Sequence, residues 1–129
     1  MKINLDAIKA RFGRRAKTLA QDPERAKALL EQAMRKAEGH RGPLEELWDS
    51  IQLLFALVKD WASGNYREVP IGSIIAMIIG LLYFVSIIDF VPDLFLGGLV
   101  DDAAVLGIVI KQVAGDLNRY RWWRENRSA

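Results

Sequence analysis

Residues 71–88 read IGSIIAMIIGLLYFVSII, a run of 18 residues without a charged side chain. A helix of this length rises about 27 Å, which is just short of the roughly 30 Å hydrocarbon core of a bilayer. Because the run is apolar on every side, a helix made from it must be covered by lipid or by other protein. The run therefore predicts either a short transmembrane helix or the central helix of a protein core.

The residues that follow are predicted to return the chain along this apolar helix. Pro92 cannot continue a helix, and Gly97 and Gly98 suit a turn. A second helix is predicted over 101–123, so that the two helices form a hairpin. Small side chains on one side of the first helix let a neighbouring helix approach closely, and they are Gly72, Ser73, Ala76 and Gly80.

The chain before the hairpin predicts three more helices, which makes an all-α protein of about five helices. Apolar periodicity and stop signals place these three over 3–20, 23–38 and 44–63. The third has the broadest apolar face, formed by Leu44, Leu47, Trp48, Ile51, Leu54, Phe55, Val58 and Trp61. The only histidine, His40, falls in the loop after the second helix and is predicted to be solvated without a partner.

The first helix combines one apolar stripe with a basic remainder. Its stripe consists of Leu5, Ile8, Phe12, Ala16 and Leu19. Such a helix either lies on an anionic membrane surface or packs against its own domain, and the residues favour neither interpretation.

Charge is distributed very unevenly along the chain. Residues 1–69 hold 13 Lys and Arg against 10 Asp and Glu, and residues 111–129 hold five bases against two acids. Residues 70–110 hold four aspartates and no base. We therefore divide the chain into a basic amphipathic region, 1–69, and a hydrophobic hairpin with a basic aromatic tail, 70–129, within one domain.

The tail, RYRWWR at residues 119–124, alternates aromatic and basic side chains. Trp and Tyr beside Arg are typical of the membrane–water interface, which predicts an interfacial role for Tyr120, Arg121, Trp122, Trp123 and Arg124. Aromatic and basic side chains also stack on nucleic acid, but no Gly-rich loop or nucleic-acid motif accompanies them. Nucleic acid is therefore the weaker prediction.

Two motifs inside the hairpin resemble a bacterial family. LYFVSIIDFVPD at residues 82–93 and GLVDDAAV at 98–105 are similar to the signature of the YkvA-like family, the domain of unknown function numbered 1232. The matching motif residues are Ser86, Asp89, Pro92, Asp93, Asp101 and Asp102. This chain has Ile87 where the family usually has proline. The resemblance implies a small helical protein that is often membrane-associated and has no established activity.

Four aspartates of the hairpin, Asp89, Asp93, Asp101 and Asp102, lie at or beside its predicted turn. Carboxylates clustered there are weak candidates for a Mg²⁺, Mn²⁺ or Ca²⁺ site. Capping of helix ends explains each position without an ion, because aspartate accepts hydrogen bonds from free backbone N–H groups. We therefore predict a structural role, with no metal and no catalytic residue.

The composition excludes several kinds of catalytic site. There is no cysteine, one histidine, five serines and one threonine, which excludes thiolate and multi-histidine sites. The chain is predicted to be a non-enzymatic protein without a cofactor, its hairpin in or against the bacterial inner membrane and both termini cytoplasmic. Anionic lipid is the expected partner, and a protein partner or a second copy is possible. The alternatives are a soluble cytoplasmic bundle acting as an interaction module and, more distantly, a metal-dependent enzyme.

Overall fold

A computed structural model of the chain describes the backbone of residues 5–42, 44–90 and 99–127, and the side chains of residues 6–42, 44–86 and 106–127. The described backbone contains six α-helices, one short 3-10 helix and no β-strand, which confirms the all-α prediction for these residues. The α-helices are α1 (Leu5–Ala20), α2 (Pro23–Glu38), α3 (Trp48–Ala62), α4 (Ile71–Phe90), α5 (Leu99–Gln112) and α6 (Ala114–Asn126).

The ends of α2 follow the predicted signals. Asp22 accepts a hydrogen bond of 3.3 Å from the backbone N–H of Arg25, and Pro23 is the first helical residue. The helix ends before Gly39. The prediction for His40 is wrong, because its ring Nδ1 lies 2.7 Å from the carbonyl oxygen of Lys36. The ring thereby donates to one of the last carbonyls of α2, which would otherwise lack a partner within the helix.

α3 is more deeply buried than its predicted face requires. Glu45–Leu47 form the 3-10 helix, so that the α-helix itself begins at Trp48. Besides most of the predicted face, α3 also buries Leu53, Leu57 and Ala62, because it packs against α2, α4, α5 and α6. The chain leaves α3 through Gly64, whose φ of 82° lies in the left-handed region that glycine adopts without a steric penalty.

The apolar helix α4 forms the centre of the bundle. It packs against α1, α2, α3 and α5, and these helices bury its side chains at Ile74, Met77, Ile78, Ile79, Leu81, Leu82, Phe84 and Val85. Protein therefore covers most of the described part of α4, while Ile71 and Gly72 at its start stay exposed. Within the residues that the structure describes, no helix has both the length and the apolar character needed to cross a membrane, and the transmembrane helix predicted over 71–88 finds no support.

Close packing of α4 on α5 occurs where small residues were predicted to permit it. A Cβ atom added at Gly80 would lie 3.3 Å from Cγ2 of Val109, so that the missing side chain allows the two helices to approach. At Gly72 a Cβ atom would meet nothing within 4 Å. Of the predicted contact residues, Gly80 thus packs against α5, whereas Gly72 has no neighbouring helix against it.

The single helix predicted over 101–123 is wrong, since the chain forms two helices that meet at Val113. The backbone hydrogen bonds continue across the junction, from Val113 N–H to Val109 and from Leu117 N–H to Val113. α5 packs against α3 and α4, whereas α6 packs against α3. Val113 has φ −103° and ψ 15°, outside the α-helical region, and beyond it α6 buries Leu117 and Tyr120.

Candidate functional site

The predicted aspartate apex is described only by its backbone. Asp89 lies in the last turn of α4, and Asp101 and Asp102 lie in the first turn of α5. Asp93 and Pro92 lie outside the described residues, as do the side chains of all four aspartates. Because α5 begins at Leu99, Asp101 is its third residue rather than the residue that caps it. A carboxylate at this position still complements the positive end of the helix dipole.

The described side chains bring no metal ligands together. Where the structure describes side chains, no three His, Cys, Asp or Glu residues form a group able to hold an ion. Ser86, the first residue of the predicted family motif, lies half-buried on α4. The suggested metal role of the four aspartates lies outside the described side chains and stays a prediction.

The predicted interfacial tail is divided between the core and the surface. Tyr120 is fully buried and lies in an aromatic cluster with Tyr66 and Trp123, with ring centroids 5.1 Å and 5.8 Å from its own. The phenol of Tyr120 donates a hydrogen bond to Asp60 of α3. The interfacial prediction is therefore wrong for Tyr120, whose buried ring packs α6 against the rest of the bundle.

The remaining residues of the tail are more accessible. Trp123 is half-buried, Arg121 and Arg124 are exposed, and Trp122 is 66% exposed. The guanidinium of Arg124 lies over the ring of Tyr120, and that of Arg127 lies over Trp123. Trp122 and Arg121 are thus the two members of the predicted group that extend from the bundle without such a contact.

A polar contact between α4 and α6 was not expected from the sequence. Asp116 is 8% exposed, and its carboxylate accepts a hydrogen bond of 2.5 Å from the hydroxyl of Ser73. It also pairs with Arg119 on the next turn. A buried carboxylate requires such partners, and this one joins the start of α4 to α6. Only the Asp-x-x-Arg spacing at 116–119 hinted at the pair.

Burial changes the acid–base behaviour of both tyrosines in the cluster. Loss of solvation raises the pKa of the Tyr120 phenol well above its usual value, and the hydrogen bond to the negative Asp60 raises it further. Burial, followed by the charge of Glu68, also raises the pKa of Tyr66. Both phenols are therefore harder to ionise than a free tyrosine, which suits hydrogen-bonding and packing roles.

The basic helix α1 presents the largest set of accessible bases. Its apolar stripe packs on α4, where Phe12, Ala16 and Leu19 are buried, and the ring of Phe12 meets that of Tyr83 edge-on. The opposite sides expose Lys9, Arg11, Arg14, Arg15 and Lys17. Packing on its own domain, one of the two predicted interpretations, is thus the arrangement found.

The α4–α5 region also carries a similarity to known proteins. Residues 73–108 match the family described as "Protein of unknown function (DUF1232)". The chain is 35% identical over 75 residues to "Uncharacterized membrane protein YkvA" of Bacillus subtilis (strain 168), a match that covers 57% of this chain and 71% of that protein. The chain belongs to the YkvA-like family.

The YkvA-like match covers α4 from its third residue and most of α5, and it leaves α1 to α3 and α6 outside the family match. The family resemblance seen in the hairpin motifs is confirmed. No solved structure matches the chain. The family description assigns no reaction, so a functional proposal has to rest on the residues of the bundle itself.

Proposed function

We propose that this chain is a non-enzymatic, membrane-associated protein of the bacterial inner membrane. The apex between α4 and α5 lies in or against the bilayer, and the basic helices lie on the cytoplasmic face, together with both termini. The observation that carries the proposal is the exposed basic surface of α1, whose apolar stripe is already occupied by α4. Contact through α1 is therefore electrostatic.

The charge of α1 suits an anionic lipid surface. The helix holds five bases and a single acid, Asp6. Within the described side chains, Lys9, Arg14, Arg15 and Lys17 make no ion pair, and Arg11 lies over the ring of Phe12. Each base near an anionic membrane contributes about 1 kcal/mol of attraction. Four or more bases on an amphipathic helix are typical of binding to anionic lipid.

Sequence supports contact between the apex and the bilayer. Residues 87–100 read IIDFVPDLFLGGLV, with two aspartates among large apolar side chains and no base. Most side chains in the described turns of α4, by contrast, are buried against other helices. We therefore assign the lipid contact to the apex and the main part of α4 to the bundle core. The name of the relative, an uncharacterised membrane protein, supports membrane association in general.

Fractionation of cells and sedimentation with vesicles test the proposal together. We expect the native protein in the membrane fraction, and we expect the purified chain to sediment with phosphatidylglycerol vesicles but not with phosphatidylcholine vesicles. Release by alkaline carbonate would indicate surface binding, and retention until detergent is added would indicate insertion of the apex. Full recovery in the soluble fraction, with no vesicle binding at low salt, would contradict membrane association.

A second candidate is a soluble bundle that acts as an interaction module and binds a second copy or another protein. The burial of most α4 side chains by other helices favours this candidate, because a core helix needs no lipid. It predicts the soluble outcome of the fractionation and a stable complex in size-exclusion chromatography of cell extract.

A further inference from the structure

An open groove of about 460 Å³ lies between α1, α4 and α5, on the side of the bundle that carries the basic helix. Its apolar wall comes from Ile75, Ala76 and Ile79 of α4, with Ile8 of α1 and Val109 of α5 beside them. This volume falls within the range of roughly 300 to 1,000 Å³ that is usual for small-ligand sites. The groove is therefore large enough for an apolar chain.

Two glycines keep the groove open. A Cβ atom added at Gly13 or at Gly72 would meet nothing within 4 Å, so neither glycine is required by close packing. Gly13 lies in the middle of α1, where glycine is less favourable than alanine by about 0.5–1 kcal/mol. Ile71, the residue before Gly72, is 56% exposed and extends the apolar surface beyond the groove. Glycine at position 13 therefore lowers the stability of α1, and packing within the bundle does not require it there.

The polar rim of the groove is basic. Lys9, Gly13 and Lys17 line it at spacings of four residues, so the two lysines lie on one side of α1 with the glycine between them. Of the described residues that line the groove, none is acidic, and neither lysine makes an ion pair with a described side chain. An apolar trough with two free ammonium groups is complementary to a molecule with an apolar chain and an anionic head.

We propose that this groove holds one acyl chain of an anionic phospholipid, with the lipid phosphate held by Lys9 and Lys17. The proposal rests on the proposed membrane association, which brings α1 to a surface made of such lipids. Its occupant is identified by charge and by the apolar wall, because the groove is open to solvent and none of the described residues that line it is acidic. Gly13 and Gly72 admit the chain between the helices.

Methyl NMR of the full chain tests the groove without a membrane. Dihexanoyl phosphatidylglycerol is added below its micelle-forming concentration to protein labelled at isoleucine and valine methyl groups. We expect saturable shifts at Ile8, Ile75, Ile79 and Val109, and none at Ile51, which is buried on α3. The phosphatidylcholine analogue and hexanoate, added in the same way, are expected to bind about tenfold more weakly or not at all.

Two pairs of variants separate the groove from the general charge of α1. Gly13→Leu fills the space beside the apolar wall and should abolish the shifts, whereas Gly115→Leu, at another open helical glycine, should leave them unchanged. Lys9→Gln with Lys17→Gln should weaken phosphatidylglycerol binding by about thirtyfold, at about 1 kcal/mol for each base. Arg14→Gln with Arg15→Gln removes the same charge from bases that do not line the groove and should leave the shifts intact.

The outcomes distinguish this inference from the proposed function. Absence of methyl shifts from a protein that sediments with anionic vesicles would overturn the groove and leave membrane association standing. Shifts with monomeric lipid, but no vesicle binding, would overturn membrane association alone. Equal shifts with hexanoate would overturn the phospholipid as occupant. Shifts that appear on raising the protein concentration without lipid would instead assign the groove to a second copy.

Discussion

The two basic ends of this chain, α1 and α6, differ in what their bases contact. In α1, four of the five bases make no ion pair or ring contact with a described side chain. In α6 and the residue after it, Arg119 pairs with Asp116, Arg124 lies over Tyr120 and Arg127 lies over Trp123. The two helices therefore differ although both are rich in bases. The bases of α1 are available to a partner, whereas most of those in and after α6 contact side chains of the bundle.

The difference follows from what each helix offers to its own core. α1 buries a stripe that contains no polar side chain, so its bases all remain on the outer sides. α6 buries Asp116 and Tyr120, and these attract the neighbouring arginines through charge and through the face of the ring. Aromatic side chains between bases thus favour attachment to the bundle as much as attachment to a membrane.

The largest effect is expected where α6 is anchored. Tyr120→Ala removes a fully buried ring from the cluster with Tyr66 and Trp123, and truncation of a buried aromatic costs about 3–5 kcal/mol of unfolding free energy. Trp122 lies two residues further along the chain and is 66% exposed. Trp122→Ala should therefore change the unfolding free energy by less than about 0.5 kcal/mol. Urea denaturation measures both. Equal losses would show that the whole tail, rather than Tyr120, holds α6.

A smaller loss is expected from the contact between α4 and α6. Asp116→Ala removes the acceptor for Ser73 and Arg119 and should cost about 1–3 kcal/mol. The cost stays in this range because Arg119 is 65% exposed and can be rehydrated. A double-mutant cycle with Ser73→Ala measures the part that belongs to the hydrogen bond. Strict additivity in the cycle would contradict a direct contact.

Alkaline pH should destabilise the bundle through Tyr120 of α6. The pKa of Tyr120 is raised in the folded state, so above about pH 10 the unfolded chain loses the phenolic proton while the folded chain keeps it. Stability is therefore unaffected by this group below about pH 10, and each such tyrosine lowers it by up to about 1.4 kcal/mol per pH unit above that. Tyr120→Phe should reduce the slope in urea melts across this range. An unchanged slope would contradict a protonated, buried Tyr120.

The smallest effect distinguishes an open glycine from a packed one. Gly13→Ala should stabilise the protein by about 0.5–1 kcal/mol, because its Cβ meets no atom within 4 Å and alanine favours the helix. Gly80→Ala should destabilise it, because the new Cβ would lie 3.3 Å from Val109. Thermal melts of the two variants give the sign of each change. Stabilisation of both would indicate that α4 and α5 separate without cost.

Much of the fold could be predicted from the sequence because its signals are local. Asp22-Pro23, Gly64 and the apolar periodicity of α3 act within a few residues, and the structure places helix boundaries beside them. The covering of α4 could not be predicted, since an apolar helix looks alike in lipid and in protein. The break at Val113 also escaped prediction, because no proline interrupts residues 101–123.

The candidate site was predicted less well because it depends on contacts between distant residues. The bond between Ser73 and Asp116 spans 43 residues and that between Tyr120 and Asp60 spans 60, and no sequence spacing indicates either. As a result, the sequence predicts Tyr120 at a membrane interface, whereas the structure buries its ring in the bundle. The family motif was recognisable because its residues are close in sequence, and its aspartates lie outside the described side chains.

The most direct test compares the two basic ends on anionic vesicles. One variant carries Arg14→Gln, Arg15→Gln and Lys17→Gln, and its matched control carries Arg121→Gln, Arg124→Gln and Arg127→Gln, so that each loses three charges. At about 1 kcal/mol for each base near the surface, the α1 variant should bind phosphatidylglycerol vesicles about a hundredfold more weakly than the unaltered chain. The control should lose about tenfold or less, because two of its arginines lie against rings of the bundle. A greater loss in the control than in the α1 variant would contradict the assignment of α1 as the membrane-binding surface.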